Sequence, residues 1–343
     1  MNETGLQGRV ALDVMGGDHA PDVILRGAIA ACSPTGKHRI APERILLVGD
    51  EKTIRSKLAT MDSAHGFAVR HASQVIGMGE SPATALRSKP DSSISSMTAA
   101  LKQGQAGAAV SMGNTGAVVA AATLGLGTLP GVKRPGIAVT IELTGHPLTI
   151  LDMGANAAPK PEHLFQYGVM GSVYMRDCLG KEKPRVGLLN IGEEEGKGTD
   201  LYKEAYQDLK ASSLAFVGNV EGNDFFLDKA DVVVCDGFTG NVVLKLMEGF
   251  AAFMLGSTMR ELAKKGIQGG SDALGPVRRS VDYSEYGGAL LLGVSGVVII
   301  GHGKSDERAV ANAIGLAARA LDANVNEDIV EGLTRAAGEK AAT

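Results

Sequence analysis

Six times along the chain an apolar run stops at a glycine-bearing turn and gives way to helical spacing. The segments are RVALDVMGGDHAPDVILRGAIAA at 9–31, AGAAVSMGNTGAVVAAATLG at 106–125, LTILDMGANA at 148–157, RVGLLNIGEEEGKGTDLYKEA at 185–205, DVVVCDGFTGNVVLKLMEGF at 231–250 and GVVIIGHGKSDERAVANAI at 296–314. The runs are continuous Val/Ile/Leu/Ala rather than alternating, which is the pattern of strands covered on both faces in a parallel sheet. After the fifth turn Val243, Leu246, Met247, Phe250 and Met254 recur at helical spacing, and after the sixth Val310, Ala313, Ile314, Ala317 and Leu321 do the same. Both patterns predict helices that lay an apolar stripe on a sheet.

Strand, turn and helix repeated in this way predict an α/β protein, a three-layer α/β/α arrangement with a mostly parallel sheet. In such folds the strand-to-helix loops gather at the carboxyl edge of the sheet, so six glycine-rich loops are expected to converge on one crevice. No Pro/Ser-rich linker divides the chain, which predicts one two-lobed domain over residues 9–338, with flexible ends at 1–8 and 339–343. The stretch 256–288 breaks the pattern and carries Arg260, Lys264, Lys265, Arg278 and Arg279 against few acids; it is expected to be a protruding helical excursion.

Composition narrows the chemistry. The 343 residues carry 44% hydrophobic side chains, a net charge of −4 and no tryptophan, which fits a folded chain and offers no basic, aromatic-laced footprint for nucleic acid. The longest nearly uncharged apolar stretch, 289–300, is far shorter than the roughly 20 residues of a spanning helix, so no membrane-spanning segment and a cytoplasmic location are expected. Three scattered cysteines, Cys32, Cys178 and Cys235, give neither a disulfide framework nor a zinc knuckle, and no histidine cluster has metal-ligand spacing. No metal and no cofactor is predicted. GLGTLP and GMGESP lack the third glycine of a dinucleotide fingerprint, and the Gly303-Lys304-Ser305 triplet lacks the first glycine of a Walker A loop, Val298 standing in its place.

What remains is anion chemistry. Glycine turns that feed helix amino termini present backbone N–H groups and the positive end of the helix dipole. DGFTGN at 236–241 places Asp236 at a strand end, Gly237 and Gly240 in the turn, and Thr239 and Asn241 at the helix start. The alternative reading is that Asn241 or Thr239 merely caps that helix and Asp236 accepts backbone N–H bonds. Lys197, between Gly196 and Gly198, can bring an ammonium to phosphate; the adjacent Glu193, Glu194 and Glu195 read as a solvated run, one of which could pin Lys197. His302 in GHGKS can polarise a carbonyl, and Arg87 and Lys89 are further cations. The remaining expected substrate-binding positions are Gly16, Gly17, Asp18, Asn114, Thr115, Gly116, Asp152 and Asn156. Cys235 reads as a buried strand residue, not a nucleophile.

The ordered set LDVMGGDHAP, SMGNTGA, RPGIAV, LDMGAN, NIGEEEGKG, GNVEGNDFF, CDGFTGNVVLK and GHGKS resembles the PlsX family over nearly the whole chain. The resemblance implies a fold similar to isocitrate and isopropylmalate dehydrogenases. It also implies transfer of a long-chain acyl group from acyl carrier protein to inorganic phosphate, giving acyl phosphate that a membrane glycerol-3-phosphate acyltransferase consumes. A homodimer at the inner face of the cell membrane is implied as well. Lys197, Asp236, Asn241 and His302 are the expected catalytic residues: phosphate on the DGFTGN backbone with Lys197 and Asn241, the oxyanion on backbone N–H groups or His302, and orientation by Asp236. Lys264, Lys265, Arg278 and Arg279 are expected to contact the acidic carrier or anionic lipid. Two alternatives stay open, a coenzyme A-dependent phosphate acyltransferase and a non-catalytic carrier-binding or membrane scaffold.

Overall fold

The structure is a computed structural model that describes residues 8–61, 66–267, 269–280 and 282–342. Among them the strands are β1 (Val10–Asp13), β2 (Ile45–Gly49), β3 (Ala68–His71), β4 (Ala108–Ser111), β5 (Gly136–Glu142), β6 (Pro147–Leu151), β7 (Arg185–Leu189), β8 (Ala215–Val220), β9 (Val232–Val234), β10 (Ala289–Leu292) and β11 (Val297–Ile300). All six runs read from the sequence are strands: β1, β4, β6, β7, β9 and β11. The chain forms two compact units, the first made of residues up to Pro135 with Tyr286–Glu331, the second of Gly136–Glu285 with the chain from Gly332.

In the first unit the strand order is β3-β2-β1-β4-β11-β10, parallel except for β10, which pairs antiparallel with β11. The apolar stretch 289–300 is thus two strands of a hairpin and not one span. β1, β2 and β4 are buried at every position, as strands with both faces covered must be. The helix Glu307–Asp322 buries Val310, Ala313, Ile314 and Ala317, as its stripe predicts. Gly27 on the helix Asp22–Cys32 lets the two helices meet closely, since a Cβ there would stand 2.4 Å from that of Val310.

In the second unit the order is β5-β6-β9-β7-β8, with β5 antiparallel to β6 and the others parallel. Here the expectation for the other stripe fails. The helix Gly237–Lys264 runs 28 residues, and Leu246, Phe250 and Met254 are 68%, 60% and 45% exposed. Together with Phe238 and Val242 they form an i, i+4 ridge that no described residue covers. A 3.6-residue period reports that a helix has an apolar face; it does not report what lies against it.

Two further expectations change accordingly. The helical excursion starts at Gly237 rather than at 256, because Gly249 and Gly256 are carried within the helix instead of ending it, and a second helix, Gly270–Ser280, follows. The helix Gly237–Lys264 is also long and apolar enough to cross a membrane by length and composition alone, with none of its apolar window buried. Lys245, Glu248 and Arg260 interrupt it, which hid it from a search for uncharged runs. At the carboxyl end the helix Val325–Ala342 continues past the expected fraying point at 338. Of the expected flexible ends, residues 1–7 and 343 lie outside the described residues.

Candidate active site

The six loops gather three to a unit. In each, a parallel strand ends on a buried aspartate that organises the turn beyond it. At the end of β1, Asp13 accepts the Ser111 hydroxyl at 2.7 Å and the Met15 N–H at 3.1 Å. Just beyond β6, Asp152 accepts four backbone N–H groups, from Ile137, Gly154 and Ala155 on Oδ1 and from Asn156 on Oδ2, at 2.7–3.0 Å. Burial pushes both carboxyls above the ordinary range, more than these hydrogen bonds pull them down. Asp152 and Asn156 form the frame on which the next loop rests. Asn156 donates to the Tyr167 hydroxyl at 2.6 Å. A Cβ at Gly237 would fall 2.7 Å from Asp152 Oδ2, and one at Gly240 only 2.0 Å from the Asp152 carbonyl oxygen. Glycine is required at both positions by this close approach.

On that frame stands DGFTGN. Asp236 is itself the cap of the helix Gly237–Lys264: Oδ1 accepts the Thr239 N–H at 2.8 Å, and Oδ2 accepts the Thr239 and Tyr202 hydroxyls at 2.6 Å each. Burial favours its neutral form, but the bonds from Thr239 and Tyr202 outweigh burial and hold its pKa below the ordinary value. This arrangement corrects the expected phosphate site. The Gly237 N–H goes to the Asn156 carbonyl, that of Gly240 to the Asp236 carbonyl, and those of Phe238 and Thr239 to the Asp236 carboxylate. The capping acid occupies the place an anion would take. Asn241 is exposed one turn on, beside Gly154.

The loop after β7 is the open one. Thr199 makes no side-chain cap for the helix Asp200–Lys210, and the N–H groups of Gly198, Thr199, Asp200 and Leu201 find no acceptor among the described residues. Lys197 precedes them, half exposed, its Nζ 3.6 Å from Glu194. Each of the three adjacent carboxylates is tied to a different base: Glu193 to Lys229, Glu194 to Lys197, and Glu195 to Lys210 at 2.8 Å. Asn190 donates to the Lys197 carbonyl and, through the same amide, to Asn219. The run is exposed, as read from the sequence, and one of its members, Glu194, pins Lys197. Cys235 lies fully buried beneath, its thiol pushed far above the ordinary value by burial, so it supplies no thiolate.

In the first unit Gly16 and Gly113 pack against each other over Asp13, and Asp18 donates its N–H to the Gly303 carbonyl at 2.7 Å. Gly17 has φ +107°, a backbone that favours glycine. Asn114 is committed to structure: it caps the helix Thr115–Gly125 through Ala117 and gives its amide to the carbonyls of Gly77, Met78 and Glu80. The Thr115 and Gly116 N–H groups at that helix start have no acceptor among the described residues. His302 is exposed, and its Nδ1 accepts the Lys304 N–H at 3.1 Å, which leaves Nε2 as the donor of the neutral ring. Lys89 is engaged by Glu80 and the Val75 carbonyl. Lys264, Lys265, Arg278 and Arg279 are exposed on the two helices of the excursion.

This assembly defines a class, an α/β protein whose strand-end loops present anion donors around a carboxylate. Solved structures share the α/β fold. The EutD phosphotransacetylase from Staphylococcus aureus matches with a TM-score of 0.58 at 14% identity, over 93% of this chain and 96% of that one. A 4-hydroxythreonine-4-phosphate dehydrogenase from Klebsiella pneumoniae matches with a TM-score of 0.51 at 14% identity, over 90% and 98%. At such identity the likeness is one of fold.

Sequence goes further. The family described as fatty acid synthesis protein matches residues 8–328. The phosphate acyltransferase of Nitratidesulfovibrio vulgaris strain DP4 is 44% identical over 332 residues, 94% of each chain, and that of Heliobacterium modesticaldum 46% identical over 323 residues, 92% of this chain and 95% of its own. The chain belongs to the PlsX family of phosphate acyltransferases, as its ordered motifs imply.

Proposed function

We propose that this protein transfers a long-chain acyl group from acyl carrier protein to inorganic phosphate. The observation that carries the reading is the loop after β7, where Lys197 adjoins a run of open N–H groups at a helix start while the nearby thiol, Cys235, is buried and protonated. Such a site holds an anionic nucleophile and supplies none of its own. Hydrogenphosphate is already charged near neutrality, because its second ionisation lies near pH 6–7.

Lys197 and the amides of residues 198–201 bind the dianion, with Asn241 as a neutral donor. Asp236 is held ionised by its donors from Thr239 and Tyr202, and it accepts the hydrogen of the P–OH group in exchange for one of these present bonds, which orients the attacking oxygen. Attack forms the C–O bond and breaks the C–S bond, the electron pair leaving on sulfur. The phosphate proton, made more acidic by acylation, passes through Asp236 to the departing thiolate. Fixed donors for the tetrahedral oxyanion contribute about 3–4 kcal/mol each.

The same reading takes the enzyme as a homodimer at the inner membrane face that passes acyl phosphate to a membrane glycerol-3-phosphate acyltransferase. The uncovered ridge of the helix Gly237–Lys264 supports an apolar contact, and Lys264, Lys265, Arg278 and Arg279 support contact with an acidic carrier or anionic lipid. Competition between carrier-linked and coenzyme A-linked acyl thioesters, read by hydroxylamine trapping of acyl phosphate, tests the substrate; preference for the coenzyme A thioester would overturn it. Charge reversal at Arg278 and Arg279 tests the docking face, and unchanged carrier affinity and liposome binding would remove it.

A further inference from the structure

Tyr202 lies in the first turn of the helix Asp200–Lys210, three residues beyond the Thr199 cap. Its hydroxyl donates to Asp236 Oδ2 at 2.6 Å and accepts the Asp236 backbone N–H at 3.2 Å, closing a two-bond ring between the loop after β7 and the loop after β9. The same side chain borders the anion loop, because a Cβ at Gly198, whose φ is +85°, would meet Tyr202 Cβ at 3.1 Å. One residue therefore touches both halves of the site. It fixes the helix whose open amino terminus follows Lys197, and it loads one oxygen of Asp236 so that the carboxylate has one orientation.

We infer that Tyr202 is a positioning residue for phosphate acylation, a strut that sets Asp236 relative to the Lys197 loop through its hydroxyl. The inference rests on the reading of Asp236 given above. Tyr202 stays un-ionised: burial pushes its phenol far above the ordinary value, and the Asp236 carboxylate beside it adds to this. Asp236 takes one hydroxyl from Tyr202 on the helix Asp200–Lys210 and one from Thr239 on its own helix, and the buried Cys235 precedes it in the chain. The hydroxyl donors hold Asp236 ionised against burial, and Tyr202 supplies one of the two.

The test is Tyr202→Phe, which keeps the ring and removes one oxygen. Acyl phosphate formation from acyl carrier protein thioester is measured against phosphate concentration and pH, with the wild type alongside. The strut predicts that kcat falls tenfold or more while the phosphate KM stays within about threefold, since Lys197 and its amides are untouched. It also predicts that the acid limb of kcat moves to higher pH, because Asp236 loses a donor that favours its ionised form. Tyr202→Gln, which restores a donor and an acceptor, should recover part of the loss. A folded Tyr202→Phe with wild-type kcat and an unmoved acid limb would overturn the inference, as would loss of the fold in both variants, which would make the role purely structural. A wild type that forms no acyl phosphate would refute the proposed function instead, so the two failures are distinct.

Discussion

Replacing Lys197 by alanine separates binding of the nucleophile from stability of the fold. A unit charge about 4 Å from another contributes about 1 kcal/mol in bulk water and about 4 kcal/mol at the effective dielectric near a protein surface. Lys197 is 46% exposed, so the loss on hydrogenphosphate should fall at about 1–3 kcal/mol, which lowers kcat/KM for phosphate roughly fivefold to 150-fold. Among the described residues the ion pair removed is the 3.6 Å contact with Glu194, itself 73% exposed. Such pairs are worth about 0–1 kcal/mol, so the urea midpoint should barely move. Acyl phosphate is trapped as the hydroxamate across a range of phosphate concentrations, and unfolding is followed on the same preparations. Wild-type kcat/KM for phosphate would refute the assignment. So would loss of activity matched by a large loss of stability, since the site would then have collapsed rather than lost a charge.

Cys235→Ser should keep activity within about threefold, because the thiol is buried and protonated; abolished turnover with the fold intact would instead indicate a covalent acyl-enzyme. Gly240→Ala places a Cβ 2.0 Å from the Asp152 carbonyl oxygen and should cost about 1–3 kcal/mol or more in a denaturant titration, together with most of the activity; a wild-type midpoint would show that the loop is not packed this closely. Asp231 is buried, and burial raises its pKa, but Arg185 and Lys181 outweigh this and hold it below the ordinary 3.8. Its contribution is thus fully present above that value and is lost as the pH falls through the folded-state pKa. Arg185→Ala should therefore cost about 3–5 kcal/mol at neutral pH and flatten the loss of stability on acidification; an unchanged acid limb would contradict the pairing.

The strands carrying the site were legible because each is a continuous apolar run ended by glycine, and that pattern has few solutions. The site itself was legible as a set of loops but not as a division of labour. Asp236, Thr239 and Asn241 all sit in one hexapeptide, yet which of them caps the helix depends on backbone angles that residue types leave open; the capping acid takes the Phe238 and Thr239 N–H groups and leaves those of residues 198–201 as the open ones. How deeply Asp152 lies was not legible, because a buried acid and an exposed one look alike in sequence. Tyr202 escaped notice because its partner lies 34 residues away on another loop. The stripe at 310–321 and the stripe at 243–254 have the same spacing, and only the fold shows that one meets a neighbouring helix while the other stays uncovered.

The central claim is that phosphate itself attacks the thioester. Rapid mixing of the purified protein with acyl carrier protein thioester, with and without phosphate, measures it directly through release of the carrier thiol. The account predicts no thiol burst without phosphate and, with phosphate, one thiol released per acyl phosphate formed. A stoichiometric burst in the absence of phosphate, with the acyl group on the protein, would contradict it.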